Sequence, residues 1–143
     1  MDDLDRSVLT LLGADARMSV ATLARRLKVA RSTIQARLER LETTGVIAGY
    51  TLKLGEAARQ ARLRASVLLT IEPRSQAAIL QRLKAVPEIE RVFTTSGRFD
   101  LLLQIAASNT QVLDSVLDQI GGLAGVKSSE SLIHLSTRLD RAV

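Results

Sequence analysis

Basic side chains are concentrated in one short stretch of the sequence, residues 17–40. Its net charge is +6, because it contains one acidic residue, Glu39, and seven basic ones. The basic residues are Arg17, Arg25, Arg26, Lys28, Arg31, Arg37 and Arg40. Clustered cations of this kind can neutralise phosphates and release their counterions, which favours binding to nucleic acid. A solvated helix face gives the same charge pattern, so charge alone leaves both interpretations open.

Three helices are predicted to position these cations. Asp2 or Asp3 is expected to cap the first helix, and Ser19 the second. Residues 31–44 form the predicted third helix, with Ile34, Leu38 and Leu41 on its apolar face and Gly45 as its stop. Only residues 28–30 separate the second helix from the third, and this spacing is typical of a helix-turn-helix.

The face of the third helix opposite its apolar stripe is polar and narrow. Short side chains there allow a helix to enter the major groove of double-stranded DNA, and donors near its N-terminal end can meet base edges. A plain amphipathic helix would have a similar pattern. We expect the bases to be contacted by Ser32, Thr33, Gln35, Ala36 and Arg40, and the phosphates by Arg25, Arg26, Arg31 and Arg37.

The second half of the sequence contains two passes of strand, helix and strand. Strands are expected at 67–71, 88–95, 99–106 and 126–135, with helices at 75–85 and from Asn109 or Thr110 to Gly121. This order predicts a βαββαβ, ferredoxin-like sandwich. The chain is thus expected to be α+β, with a three-helix, winged-helix-like N-terminal part. Helices would cover one sheet face and leave the other for a partner.

Three segments follow from these patterns. Residues 1–50 form the predicted DNA-binding domain, 51–66 a short strand and linker, and 67–143 the oligomerisation and effector-sensing domain. The strand was expected from the alternating residues of 46–54. The net charge is +2 over residues 1–50, +3 over 51–66 and zero over 67–143, so the basic excess lies in the first half.

Composition excludes several classes of protein. The chain has no cysteine, which excludes disulfides and thiolate metal sites and fits a reducing cytoplasm. No apolar run approaches the roughly 20 residues that span a bilayer, and the acidic start Met1-Asp2-Asp3 is unlike a signal peptide. We expect a cytoplasmic protein that needs no membrane, cofactor or metal.

Motifs in both halves resemble the Lrp/AsnC family of transcription regulators. The first half carries Leu4-Asp5-Arg6, Leu23-Ala24, Ser32-Thr33-Ile34, Leu41-Glu42 and Gly45-Val46-Ile47-Ala48-Gly49-Tyr50. The second half carries Thr95-Ser96-Gly97-Arg98-Phe99-Asp100 and Gly125-Val126, similar to the family's glycine loop and last strand. The resemblance implies a homodimer built by sheet-to-sheet packing, often assembled further into octamers, and amino-acid effectors bound between subunits.

One departure from the family concerns the turn before the third helix. The family often has Gly and then Ser there, whereas this chain has Lys28 and Ala30. The usual cap is therefore missing, and Ser32 is expected to replace it.

The glycine loop is the candidate effector site. Gly97 permits close approach of a ligand, Asp100 can hold an ammonium group, and Arg98 or a backbone amide can hold a carboxylate. The resemblance adds the last strand. The predicted effector site is Ser96, Gly97, Arg98, Asp100, Lys127, Ser129 and Ser131. In the alternative interpretation, Gly97 and Asp100 simply make a tight turn, with Asp100 bonded to its own backbone.

Two other functions stay open at this point. Relatives of the family with a degenerate helix-turn-helix decarboxylate a tetrapyrrole precursor, with chemistry that resembles acid catalysis by histidine. The sequence has one histidine, His134, in a predicted strand, and no phosphate loop or nucleophile motif, so we expect no enzyme. The other alternative is a metabolite-sensing oligomerisation module whose N-terminal helices bind protein rather than DNA.

Overall fold

The computed structural model describes residues 1–59 and 62–141 of the chain. The described residues form two compact units: residues 1–53 with 139–141, and residues 54–138. The first unit contains α1 (Asp3–Ala14), α2 (Val20–Leu27) and α3 (Arg31–Thr43). The second contains α4 (Glu56–Arg59), β1 (Leu63–Ile71), α5 (Gln76–Lys84), β2 (Ile89–Thr94), β3 (Leu101–Ala107), α6 (Thr110–Gly121) and β4 (Val126–Ile133).

The helix-turn-helix is present, and most of its predicted boundaries are confirmed. Asp2 caps α1 through a capping box with Asp5, and the Ser19 side chain accepts a hydrogen bond from the Thr22 amide at the start of α2. Gly45, at φ +78°, follows the last turn of α3. Val8, Leu23, Ile34 and Leu41 are buried together, so three apolar helix stripes make one small core.

The turn before α3 differs from the sequence prediction. Ala30 is the N-cap residue, no side chain caps the helix, and Ser32 lies inside it. The expected substitution of Ser32 for the missing cap was therefore wrong. Lys28 adopts φ +57°, a left-handed conformation that suits glycine. The turn keeps its three residues even though it lacks both the glycine and the cap.

The C-terminal unit has the predicted βαββαβ order. Its antiparallel sheet has the strand order β2-β3-β1-β4, as in a ferredoxin-like fold. Alternate residues of β1 and β3 are buried against Ile79 and Leu83 of α5 and Val116 of α6. Both helices therefore cover one face of the sheet, and the other face carries the remaining alternate side chains.

The segment between α3 and β1 corrects one prediction. The described residues between these elements contain no strand, so the short wing strand expected over 46–54 is not formed. Leu52 is 84% exposed, and an alternating pattern forms a strand only where a neighbour offers pairing. β1 begins at Leu63, inside the predicted linker, because Leu63 and Arg64 find partners in Ala107 and Ala106 of β3.

Candidate DNA interface and effector site

The N-terminal half of α3 presents the predicted base-contacting residues. Ser32, Gln35 and Ala36 are exposed, and Thr33 is half-buried. They are held outward because Ile34 and Leu41, on the opposite side of the helix, are anchored in the small core. α3 thus offers hydroxyl and amide groups with short side chains between them, the surface that a helix needs in the major groove.

Three predicted phosphate-contacting residues have free guanidinium groups. Arg25 and Arg26 lie in the last turn of α2, and Arg31 begins α3. All three are exposed, and within residues 1–59 and 62–141 no carboxylate forms a salt bridge with them. They border the turn that precedes α3, where they can meet phosphate groups on either side of an inserted helix.

Arg37 and Arg40 have a different environment from the other cations. Arg40 Nη2 lies 2.8 Å from Asp5 Oδ2, and Arg37 Nη1 lies 3.3 Å from Asp5 Oδ1. Arg37 Nη1 also donates to Asp2 Oδ2. These ion pairs join the N-terminus of α1 to one flank of α3, an arrangement that the sequence analysis missed.

Asp5 is the centre of this arrangement, and its side chain is only 1% exposed. The sequence contains a signal for this burial, because Asp5 lies three residues before the core residue Val8 and therefore on the same helix face. In the sequence analysis it was named only within the motif Leu4-Asp5-Arg6 and was assigned no partner on α3. A buried carboxylate requires charged partners, and the nearest cations are those of α3.

Asp2 and Asp5 have perturbed pKa values. The hydrogen bond from Arg37, followed by that from the Asp5 amide, lowers the pKa of Asp2 to about 2. Burial alone would raise the pKa of Asp5, but the hydrogen bonds from the Asp2 amide and Arg37, with the charge of Arg40, outweigh burial and lower it. Asp2 likewise raises the pKa of Arg37 through their hydrogen bond.

Acid should therefore destabilise the N-terminal unit. Asp2 titrates near pH 3.8 when unfolded and near 2 when folded, so its stabilising effect is complete above about pH 4 and is lost toward pH 2. Thermal unfolding followed by circular dichroism should show a melting temperature that falls across this window. Asp2→Asn, which keeps a good cap, should flatten the fall. Equal slopes for both proteins would refute this assignment.

The glycine loop joins β2 to β3 and is anchored to the end of β1. The Asp100 amide donates to the Leu69 carbonyl at 2.8 Å, and Asp100 Oδ2 accepts from the Ile71 amide at 2.9 Å. Gly97 has φ +107° and no atom within 4 Å of the place where a Cβ would stand. The loop is thus fixed at its base and open at its tip, where Ser96, Gly97 and Arg98 are exposed.

The remaining predicted effector residues do not all lie on one side of the sheet. Ser129 and Ser131 of β4 are paired with Leu69 and Val67, whose side chains point to the helices. Arg98 instead lies 3.6 Å from Glu130, whose partner is Leu68 on the open face. Lys127 is 4.0 Å from Glu72. Within one chain, Arg98 and the two serines therefore lie on opposite faces.

Three further features bear on function: metal-binding clusters, membrane-spanning helices and the histidine. The described part of the chain has no cluster of three or more His, Asp or Glu side chains able to hold a metal ion. No helix in it is both long and apolar enough to cross a bilayer. His134 Nε2 lies 2.8 Å from Ser66 Oγ, and both groups are on the sheet surface.

Comparison with known families assigns both halves of the chain. Residues 1–42 match the model of the AsnC-type helix-turn-helix domain, and residues 64–143 match the model of the Lrp/AsnC ligand binding domain. The second match alone covers more than half of the chain. The two domains occur in the order that the structure shows.

Individual proteins agree with this assignment. HTH-type transcriptional regulator FL11 of Pyrococcus furiosus is 27% identical over 135 residues, covering 94% of this chain and 89% of the relative. E. coli AsnC superposes with a TM-score of 0.89 at 23% identity, covering 100% and 97% of the two chains. A Neisseria meningitidis transcriptional regulator, solved as a complex with L-Met, superposes with a TM-score of 0.89 at 23% identity. The match covers 99% of this chain and 94% of the regulator. The chain belongs to the Lrp/AsnC family of transcriptional regulators, with a DNA-binding helix-turn-helix and a ligand-binding domain.

Proposed function

We propose that the protein regulates transcription by inserting α3 into the major groove of DNA, with Ser32, Thr33, Gln35 and Ala36 facing the bases. Arg25, Arg26 and Arg31 are the proposed phosphate contacts. The single observation that carries this proposal is the exposed polar end of α3, bordered by three arginines that form no salt bridge with a carboxylate of the described residues. Base contacts supply specificity, and phosphate contacts supply register and affinity.

Arg37 and Arg40 enter the proposal in a different role from the one that the sequence predicted. The sequence placed Arg37 on phosphates and Arg40 on bases. Their guanidinium groups are bonded to Asp2 and Asp5, which supports a role inside the domain. The proposed DNA interface therefore contains fewer residues than the predicted one, because it lacks Arg37 and Arg40.

The open face of the sheet is the proposed dimer contact. Phe93 and Leu132 are 42% and 51% exposed there, and Leu68 and Leu102 form a cross-strand pair between them. Apolar groups spread over an uncovered sheet face commonly mark an interface, and a twofold pairing lets the same patch serve both subunits. We propose a homodimer through this face, and the resemblance to the family implies that such dimers can assemble further into octamers.

The ligand of the C-terminal domain is proposed to be an amino acid or a related small metabolite. The L-Met found in the Neisseria meningitidis neighbour supports this class of compound. The proposed ligand groups are Ser96, Gly97, Arg98, Asp100, Lys127, Ser129 and Ser131. Arg98 and the serines lie on opposite faces within a chain, so the proposed site draws them from subunits that meet through a contact other than the open face.

We further propose that the protein acts without catalysis and in the cytoplasm. The relatives are transcriptional regulators, and the alternative of a tetrapyrrole-precursor decarboxylase would need a histidine at a substrate site. His134 is instead an exposed residue just after β4, and its Nε2 lies 2.8 Å from Ser66 Oγ of β1. Nothing in its surroundings favours acid catalysis over a surface role.

Removing one of the free arginines tests the proposed interface. Arg25→Ala should weaken binding to every duplex and reduce the slope of log K against log salt by about one unit, because one phosphate contact is lost. Fluorescence anisotropy with a mixed-sequence duplex measures both quantities. Arg82→Ala removes the same charge at an exposed position of α5, outside the interface, and should leave the slope unchanged. Equal slopes for wild type and Arg25→Ala would contradict the proposal.

A further inference from the structure

The buried acid of α1 restrains the helix proposed to enter DNA. Asp5 accepts hydrogen bonds from Arg40 at 2.8 Å, Arg37 at 3.3 Å and the Asp2 amide at 3.3 Å. Asp2 binds Arg37 from the same side. Each carboxylate of this group, which we call the acid clamp (Asp2 and Asp5), thus has a guanidinium partner on α3.

α3 depends on such an anchor more than its neighbours do. Its N-cap residue, Ala30, supplies no side-chain hydrogen bond, whereas α1 and α2 are both capped by side chains. Apolar packing through Ile34 and Leu41 fixes which face is inward, but because it is non-directional it leaves a small rotation about the helix axis undetermined. Directed ion pairs along one flank fix that rotation.

The clamped arginines lie on the flank between the core and the exposed face of α3. At about 100° per residue, Arg37 and Arg40 fall on the same side of the helix as Thr33. The side chain of Arg40 is still 55% exposed, so only its bond to Asp5 keeps it from turning outward. Released, both guanidinium groups would join the cations available to a DNA backbone.

We propose that Asp5, assisted by Asp2, is a positioning residue for specific DNA recognition: it holds α3 in its binding orientation and withholds Arg37 and Arg40 from phosphates. This inference rests on the proposed DNA-binding function of α3. Withholding two cations lowers the sequence-independent part of the DNA affinity. The base contacts of α3 therefore contribute a larger share of the total affinity. The clamp therefore lowers bulk affinity while α3, held in its binding orientation, keeps its base contacts.

Salt dependence distinguishes this role from a purely structural one. Asp5→Asn keeps the shape of the side chain and removes its charge. In the full chain it should steepen the slope of log K against log salt on a mixed-sequence duplex by one to two units, at about 0.9 per phosphate contacted. Adding Arg40→Gln to Asp5→Asn should remove about one unit of that gain.

Asp3→Asn is the matched control, because Asp3 lies in the same helix turn, is fully exposed and, among residues 1–59 and 62–141, has an ion pair only with Arg6. It changes the net charge by the same amount without touching α3, and it should leave the slope within half a unit of the wild type, roughly half of one phosphate contact. Circular dichroism establishes that each variant is folded. Should Asp5→Asn fail to fold, Asp2→Asn removes one of the two carboxylates that hold Arg37, leaving Asp5 at 3.3 Å, and should gain up to about one unit.

The outcomes separate the inference from the function on which it rests. A steeper slope in Asp5→Asn, reversed by Arg40→Gln and absent in Asp3→Asn, supports the clamp. An unchanged slope in folded Asp5→Asn, or in Asp2→Asn where Asp5→Asn is unfolded, overturns it while leaving DNA binding by α3 intact. A wild-type protein without salt-dependent DNA binding overturns the proposed function itself, and the clamp with it.

Discussion

Replacing Leu68 by Asp should convert the assembled protein into monomers. Leu68 lies at the middle of β1 on the open sheet face, paired with Leu102 of β3 and Glu130 of β4. In the proposed dimer this position is covered by the partner subunit. A new carboxylate buried there would lie beside Glu130, whose charge Arg98 already pairs with, at a cost of several kcal/mol in each subunit. We expect the dimer dissociation constant to rise by at least about 1000-fold.

Analytical ultracentrifugation of the full chain measures this change. Gln111→Asp is the control, because Gln111 is exposed at the start of α6, on the opposite side of the sheet, and receives the same added charge. This variant should sediment like the wild type. If Leu68→Asp also sediments like the wild type, the subunits do not associate through the open face.

The second large effect is expected at the glycine loop. Asp100→Asn should weaken amino-acid binding about 10- to 100-fold, because a neutral amide replaces the charge proposed to hold the ligand's ammonium group. The substitution isolates this charge, since the Asn side-chain oxygen can still accept the hydrogen bond from the Ile71 amide. Gly97→Val should also abolish binding, because Val at φ +107° is strained and fills the space open to the ligand.

Calorimetry with the twenty amino acids on wild type and both variants measures these effects. A thermal-shift screen first selects the ligand, since a compound that binds the folded state raises the melting temperature. Arg74→Ala is the control, because Arg74 is an exposed cation outside the proposed site. If one amino acid binds the wild type, Asp100→Asn and Gly97→Val equally well, the effector site lies elsewhere.

Elements with local signals were predictable from the sequence. Asn109 caps α6 by accepting from the Val112 amide, and Gly45 ends α3 with a positive φ, both as their positions indicated. The sequence of β3 is apolar except for Gln104, which is typical of a central strand, and β3 lies between β2 and β1. Such features depend on neighbouring residues along the chain, so the sequence displays them directly.

Features that depend on distant partners were missed or misjudged. Asp5 and Arg40 are 35 positions apart, and only the packing of α1 against the other helices brings them together. The segment 46–54 has an alternating pattern but no strand to pair with, whereas Leu63 and Arg64 are strand residues because β3 extends beside them. In the candidate site, the position of Gln35 on the exposed face of α3 was predictable from the helical period. The ion pairs of Arg37 with Asp2 and Asp5 were not.

Selection of duplexes from a random pool by the full-length protein tests the central claim most directly. If α3 contacts bases and the subunits pair by a twofold axis, the enriched sequences should contain two inverted half-sites. Their centres should be about 10–10.5 base pairs apart, or a multiple of that spacing. Recovery of such an inverted repeat, lost or altered in Gln35→Ala, is the predicted result. A pool that stays random after repeated rounds would contradict sequence-specific DNA binding by this protein.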